Sequence, residues 1–179
     1  MGGVRILDRL VETFQQAFGR RPLLVANDAE APTWHPGLRV ASDLRPGCGA
    51  LGGLHTAVVL APAPVVVVAW DMPFVSSGLL RALADGLSDA DACLPASDGP
   101  RGLEPLCAAY GPACAAAMSA AIEAGDMRAV GFHDRVKVSI LSPERVRALV
   151  PPETLFFNVN TADDLREADE RWRRHGFSL

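Results

Sequence analysis

Four valines and an alanine, Val65-Val66-Val67-Val68-Ala69, run without a polar interruption and lead straight into Trp70-Asp71-Met72-Pro73-Phe74. An unalternating run of β-branched residues fits a strand covered on both faces, as in a parallel sheet lying under helices. Pro73 ends the ladder, because proline donates no backbone hydrogen bond. Ligands of open α/β sheets sit outside the carboxyl ends of the strands. Asp71 therefore stands where a metal ion or a substrate group is expected, or else caps the next helix or closes a turn.

The rest of the chain alternates strands with helices. The spacing of Leu7, Leu10, Val11, Phe14 and Phe18 predicts an amphipathic helix over 4–18, closed by Gly19. Leu23–Ala26 reads as a short strand ending at Asn27-Asp28, and Leu38–Ala41 as another leading to Asp43, with a loop between them. The run Pro46–Gly53 reads as a glycine-rich connection that opens a helix from Leu54 to Leu60. Ser76 or Ser77 caps a helix with Leu79, Leu80, Leu83 and Leu87 on its core face. Ala90–Pro95, Leu106–Tyr110 and Val136–Ile140 read as strands, Ser97–Pro100 as a turn, and Pro112 as the start of an alanine-rich helix. Leu155–Phe157 reads as a strand entering Asn158-Val159-Asn160, after which Thr161 caps a last helix. The fold class is α/β, a three-layer sandwich with a Rossmann-like, mainly parallel sheet.

The length of 179 residues suits one domain. A formal net charge of -4 leaves no basic surplus to neutralise a nucleic-acid backbone. Cys48, Cys93, Cys107 and Cys114 form no CxxC pair, and they read as buried or incidental thiols of a reducing compartment. No apolar stretch reaches ~18 residues, so no membrane span is expected. The opening residues lack a signal-peptide core, and a cytoplasmic protein is expected.

Asn27, Asp43, Asp71, Asn158 and Asn160 all fall at expected strand ends. Parallel strands bring such ends to one rim, so these groups can converge on a nucleotide; each alone is also an ordinary turn residue. The glycines at 49, 52 and 53 allow a backbone to approach a ligand closely, or simply make a flexible turn. They match neither GxxxxGK[ST] nor GxGxxG. Asp71 suits Mg²⁺, which takes one or two carboxylates and completes its shell with water and phosphate oxygens.

Val25-Ala26-Asn27, Ser42-Asp43, Gly49-Ala50-Leu51-Gly52-Gly53, Asp71-Met72-Pro73-Phe74, Glu104-Pro105-Leu106 and Phe157-Asn158-Val159-Asn160-Thr161, in this order and spacing, resemble the molybdenum cofactor guanylyltransferases, MobA-like nucleotidyltransferases. The resemblance runs through almost the whole chain. It implies Mg²⁺-dependent transfer of GMP from GTP to molybdopterin. Asn27, Asp43, Gly49, Gly52 and Gly53 would then contact the nucleotide, with Asp71 as the catalytic, GTP-contacting and Mg²⁺-holding residue. Glu104, Asn158 and Asn160 would flank the molybdopterin side. Proteins of molybdenum insertion or molybdoenzyme maturation are further implied partners.

The family form also opens with a strand and a loop, LAGGxSxRMGxDK, that these residues do not contain. The residues Gly2–Leu7 resemble the family's stretch between that loop and the first helix. The expectation is therefore one domain over 1–179 with its first strand missing, an incomplete sheet, and an N-terminus lost through a misassigned start or a shortened form. A noncatalytic nucleotide-binding remnant, or a related transferase using CTP or a sugar phosphate, stand as alternatives.

Overall fold

The computed structural model describes residues 2–97, 102–151, 154 and 156–175. Helix α1 (Ile6–Phe18) ends at Gly19, whose φ of 65° is the left-handed cap that glycine adopts without strain. Strand β1 (Leu23–Val25) and the short helix α2 (Ala31–Trp34) lead to β2 (Arg39–Ala41), which pairs with β1 in parallel. Helix α3 (Gly49–Leu60) precedes β3 (Val65–Val68), the valine strand. Ser76 caps α4 (Ser77–Asp85), its hydroxyl accepting from the Leu79 N–H at 3.0 Å. Strands β4 (Ala92–Pro95) and β5 (Cys107–Tyr110) precede α5 (Ala113–Glu123). Strand β6 (Val138–Leu141), helix α6 (Pro143–Arg147) and helix α7 (Ala162–His175) complete the order.

The second sheet has the order β3-β5-β4-β6. Its strands β3, β4 and β6 run one way, and β5 runs against both neighbours. No helix separates β4 from β5 among the described residues; the chain turns back through a bridge between Ala96 and Leu103, which makes an antiparallel return possible. Side chains alternate between the two faces. Val65, Val67, Ala92, Leu94, Ala108 and Tyr110 pack with α3 and α5, while Val66, Val68, Cys93, Cys107 and Ala109 pack with α4 and Val150. Helices thus cover both faces of one sheet, which is the three-layer sandwich.

Three sequence expectations change. The valine strand has both faces covered but is only half-buried, because one edge pairs with β5 and no ladder joins the other edge to β1–β2 among the described residues. Helix α3 touches both β1 and β3, so one helix spans the break between the sheets. Helix α3 also begins at Gly49, five residues before the expected Leu54, and takes the glycine run into its first turns. The expected strand at 155–157 is instead a turn around Phe156, whose φ of 53° is left-handed; Leu155 lies outside the described residues. The expected turn at 97–100 also lies, beyond Ser97, outside the described residues.

Candidate active site

The residues singled out by sequence fall into two groups at strand ends. The first is built on β1, β2 and α3. The Asn27 amide donates to Asp43 Oδ2 at 2.8 Å, and the Asp43 N–H donates to Asn27 Oδ1 at 2.8 Å. Two parallel strands with matched register carry these residues just past their ends, so the reciprocal pair locks the two loops together. Asn27 is exposed and Asp43 half-buried.

Glycines bring α3 against this pair. A Cβ on Gly52 would stand 3.0 Å from the Arg45 carbonyl and 3.1 Å from Cys48 Cβ, and one on Gly53 would stand 3.8 Å from Asp43 Oδ1. Gly49 has a φ of 55°, a conformation that other residues adopt only with strain. The absence of side chains here is what lets the loop of Asp43 lie on the first turns of the helix. Thr56, buried on α3, fixes that arrangement: its hydroxyl donates to the Gly52 carbonyl at 2.9 Å and accepts from the Leu44 N–H at 2.9 Å. Sequence reading passed over Thr56, because it placed Gly52 in a loop rather than one turn earlier in the same helix.

The second group is built on β3, β5 and the segment before α7. Asp71 follows β3 directly. Its Oδ1 is buried and has no hydrogen-bond partner, and burial raises the carboxyl above its ordinary value. Glu104, just before β5, is also raised, first by burial and further by the nearby Asp71 carboxylate; the Leu106 N–H, donating to Glu104 Oε1 at 3.2 Å, works the other way. Burial thus pushes both acids toward the protonated form, and the Asp71 charge adds to this at Glu104. The Val159 N–H donates to the Asp71 carbonyl at 2.9 Å, which ties the Asn158–Asn160 segment to this residue. Asn158 and Asn160 are both exposed. Asp164 then holds the segment in place by accepting from the N–H groups of Asn160 and Thr161 at 2.9 and 2.8 Å, while Thr161 Oγ1 accepts from the Asp164 N–H at 3.1 Å. That is a reciprocal cap on α7.

An unpartnered buried carboxylate oxygen is costly unless something binds it. A cation suits Asp71 on this ground. No group of three or more His, Cys, Asp or Glu side chains gathers to hold a metal among the described residues. Mg²⁺ needs no such cage, since water and phosphate oxygens complete its shell. Among the described residues no helix is long and apolar enough to cross a membrane. All four cysteines are free and buried, and burial raises the thiol of Cys114 to about 11, which keeps it protonated and inert.

The chain is similar to known proteins over most of its length. The sequence profile of the MobA-like NTP transferase domain matches residues 1–137. A protein of Pelotomaculum thermopropionicum named probable molybdenum cofactor guanylyltransferase is 32% identical over 94% of this chain and 80% of its own length. The molybdenum cofactor guanylyltransferase of Desulfosudis oleivorans is 26% identical over 94% of this chain and 83% of its own. The crystal structure of molybdopterin-guanine dinucleotide biosynthesis protein A from Archaeoglobus fulgidus superposes with a TM-score of 0.80 at 28% identity, covering 96% of this chain and 87% of that one. Fold and relatives together define a nucleotidyltransferase. Within that class the chain belongs to the MobA-like NTP transferase domain family.

Proposed function

We propose that this chain transfers GMP from GTP to molybdopterin with Mg²⁺, forming the guanine dinucleotide of the molybdenum cofactor. The observation that carries the reading is the buried, unpartnered Oδ1 of Asp71 at the carboxyl end of β3, beside Glu104. The names of the similar proteins supply the donor and the acceptor.

In this reading the Asn27–Asp43 pair and the glycine face of α3 receive the nucleoside, Gly49, Gly52 and Gly53 leaving room for it. Asp71 holds Mg²⁺, which offsets charge on the phosphates when bound. The terminal phosphate oxygen of molybdopterin attacks the α-phosphorus of GTP. One P–O bond forms, the bond to the β-phosphate oxygen breaks, and pyrophosphate carries away the electron pair. The protein contributes position and charge rather than a covalent intermediate. Glu104, Asn158 and Asn160 orient the acceptor on the far side of Asp71.

A second reading is GTP binding without transfer, with the Asn27–Asp43 pair receiving the nucleoside and no acceptor engaged. An assay with GTP labelled at the α-phosphate, molybdopterin as acceptor and CTP as competitor separates the readings. Label transferred to molybdopterin and insensitive to CTP supports the first. Bound GTP with no transferred label supports the second. Displacement by CTP points to a cytidylyl or sugar-nucleotide chemistry instead.

A further inference from the structure

Trp70 is 64% exposed, next in sequence to Asp71. Its place in the chain is firmly set. The Ala69 N–H donates to the Leu106 carbonyl at 2.7 Å, the Met72 N–H donates to the Ala69 carbonyl at 3.2 Å, and Met72 and Phe74 are buried. The loop is anchored by its other residues, so the indole of Trp70 is not needed as an anchor. An indole offers a large apolar face, and most folds cover it.

Behind Trp70 stands a second indole. Trp34, the last residue of α2, lies with its ring centroid 6.5 Å away and tilted by 41°. Trp34 is itself held: its carbonyl accepts from Arg5 Nη1 at 2.7 Å, and Arg5 is clamped on both carboxylate oxygens of Asp8 at 2.7 and 2.8 Å. Trp34 follows β1 and Trp70 follows β3, so the pair bridges the ends of two strands that share no ladder. Trp172, by contrast, is occupied, stacked on Phe74 and covered by the Arg9 guanidinium at 3.6 Å.

We propose that Trp70, backed by Trp34, is a stacking platform for a planar fused-ring heterocycle, the kind of ring that guanine and pterin share. The inference rests on the functional reading above and adds a ring-binding residue to it. A rigid aromatic face is the recognition element such rings use, because stacking needs no particular hydrogen-bond pattern. The held Trp34 keeps Trp70 oriented before the ligand arrives, so less freedom is lost on binding.

The test is calorimetric titration of the whole chain with GTP and Mg²⁺, and separately with 6-hydroxymethylpterin, on the native protein, Trp70→Ala, Trp70→Phe and Asp71→Asn. Trp70→Ala is expected to weaken one of the two ligands by about 5- to 100-fold, the range of one ring stack. Trp70→Phe should recover most of that loss, and the melting temperature of Trp70→Ala should match the native protein, since an exposed ring is not core. Weakening of GTP assigns the platform to the donor base; weakening of the pterin assigns it to the acceptor. Native affinity of Trp70→Ala for both ligands, with GTP binding lost in Asp71→Asn, overturns the platform and leaves the functional reading standing. Trp70-dependent pterin binding with no GTP binding keeps the platform and removes GTP as donor. A native protein that binds neither ligand removes both.

Discussion

At the scale of single residues, Asp71 carries the most chemistry and the least compensation. Its Oδ1 is buried with no partner, and its carboxyl is raised by burial above its ordinary value of 3.8. Between that value and the raised one, the folded protein keeps a proton that the unfolded chain has released. Stability without a divalent ion therefore falls as pH rises through that window. Glu104, raised in the same direction, adds to the trend. A cation binds the ionised form, so Mg²⁺ affinity rises with pH across the same window. The expected outcome is a Mg²⁺-induced increase in melting temperature that is absent near pH ~4, present at pH ~7, and missing from Asp71→Asn at either pH. Asp71→Asn should melt no lower than the native protein in the absence of Mg²⁺, because it removes a poorly compensated charge. A Mg²⁺ response that is the same in Asp71→Asn would place the ion elsewhere.

At the scale of elements, the α3 glycines separate two effects. Gly52→Ala drives a methyl to 3.0 Å from the Arg45 carbonyl and should cost about 1–3 kcal/mol, loosening the Asp43 loop. Gly53→Ala meets only ordinary contact at 3.8 Å and should gain up to about 1 kcal/mol of helix stability. Denaturant unfolding of the two variants reads the difference, and equal effects would contradict the packing described. Thr161→Ala removes the cap on α7 and should cost about 1 kcal/mol by the same measurement. The sequence showed where these elements lie better than how they end. Gly49–Gly53 read as a loop because glycine disfavours helices. Only the approach of Arg45 and Asp43 explains why a helix tolerates three glycines there, and that contact joins residues distant in pattern. Phe156 and Phe157 read as strand because they are apolar, yet a left-handed φ at Phe156 turns the chain. The caps at Gly19 and Thr161 were legible because each depends on its own neighbours alone, whereas the choice between Ser76 and Ser77 was not.

At the scale of the whole molecule, the α/β class was legible from the valine strand and the alternation of patterns. The reversed direction of β5 was not, since Leu106–Tyr110 is apolar on both faces and reads the same either way. Among the described residues no ladder joins β1–β2 to β3, so the strands form two separate sheets. This division predicts uneven protection in hydrogen exchange: amides of β4 and β5, paired on both sides, should exchange slowest, and those of β1 and β2 markedly faster. Uniform protection would contradict a sheet in two parts. The candidate site was legible as a set of strand-end residues, and the pairing of Asn27 with Asp43 was not, because spacing along the chain does not encode distance across a rim. Exposure was equally hidden, which is why Trp70 passed as part of a strand ending. The central claim is that this rim binds GTP through Asp71 and Mg²⁺. The most direct measurement is calorimetric titration of this chain with GTP, with and without Mg²⁺, on the native protein and on Asp71→Asn. The account predicts Mg²⁺-dependent GTP binding that Asp71→Asn abolishes. Failure of the native protein to bind GTP in the presence of Mg²⁺ would contradict it.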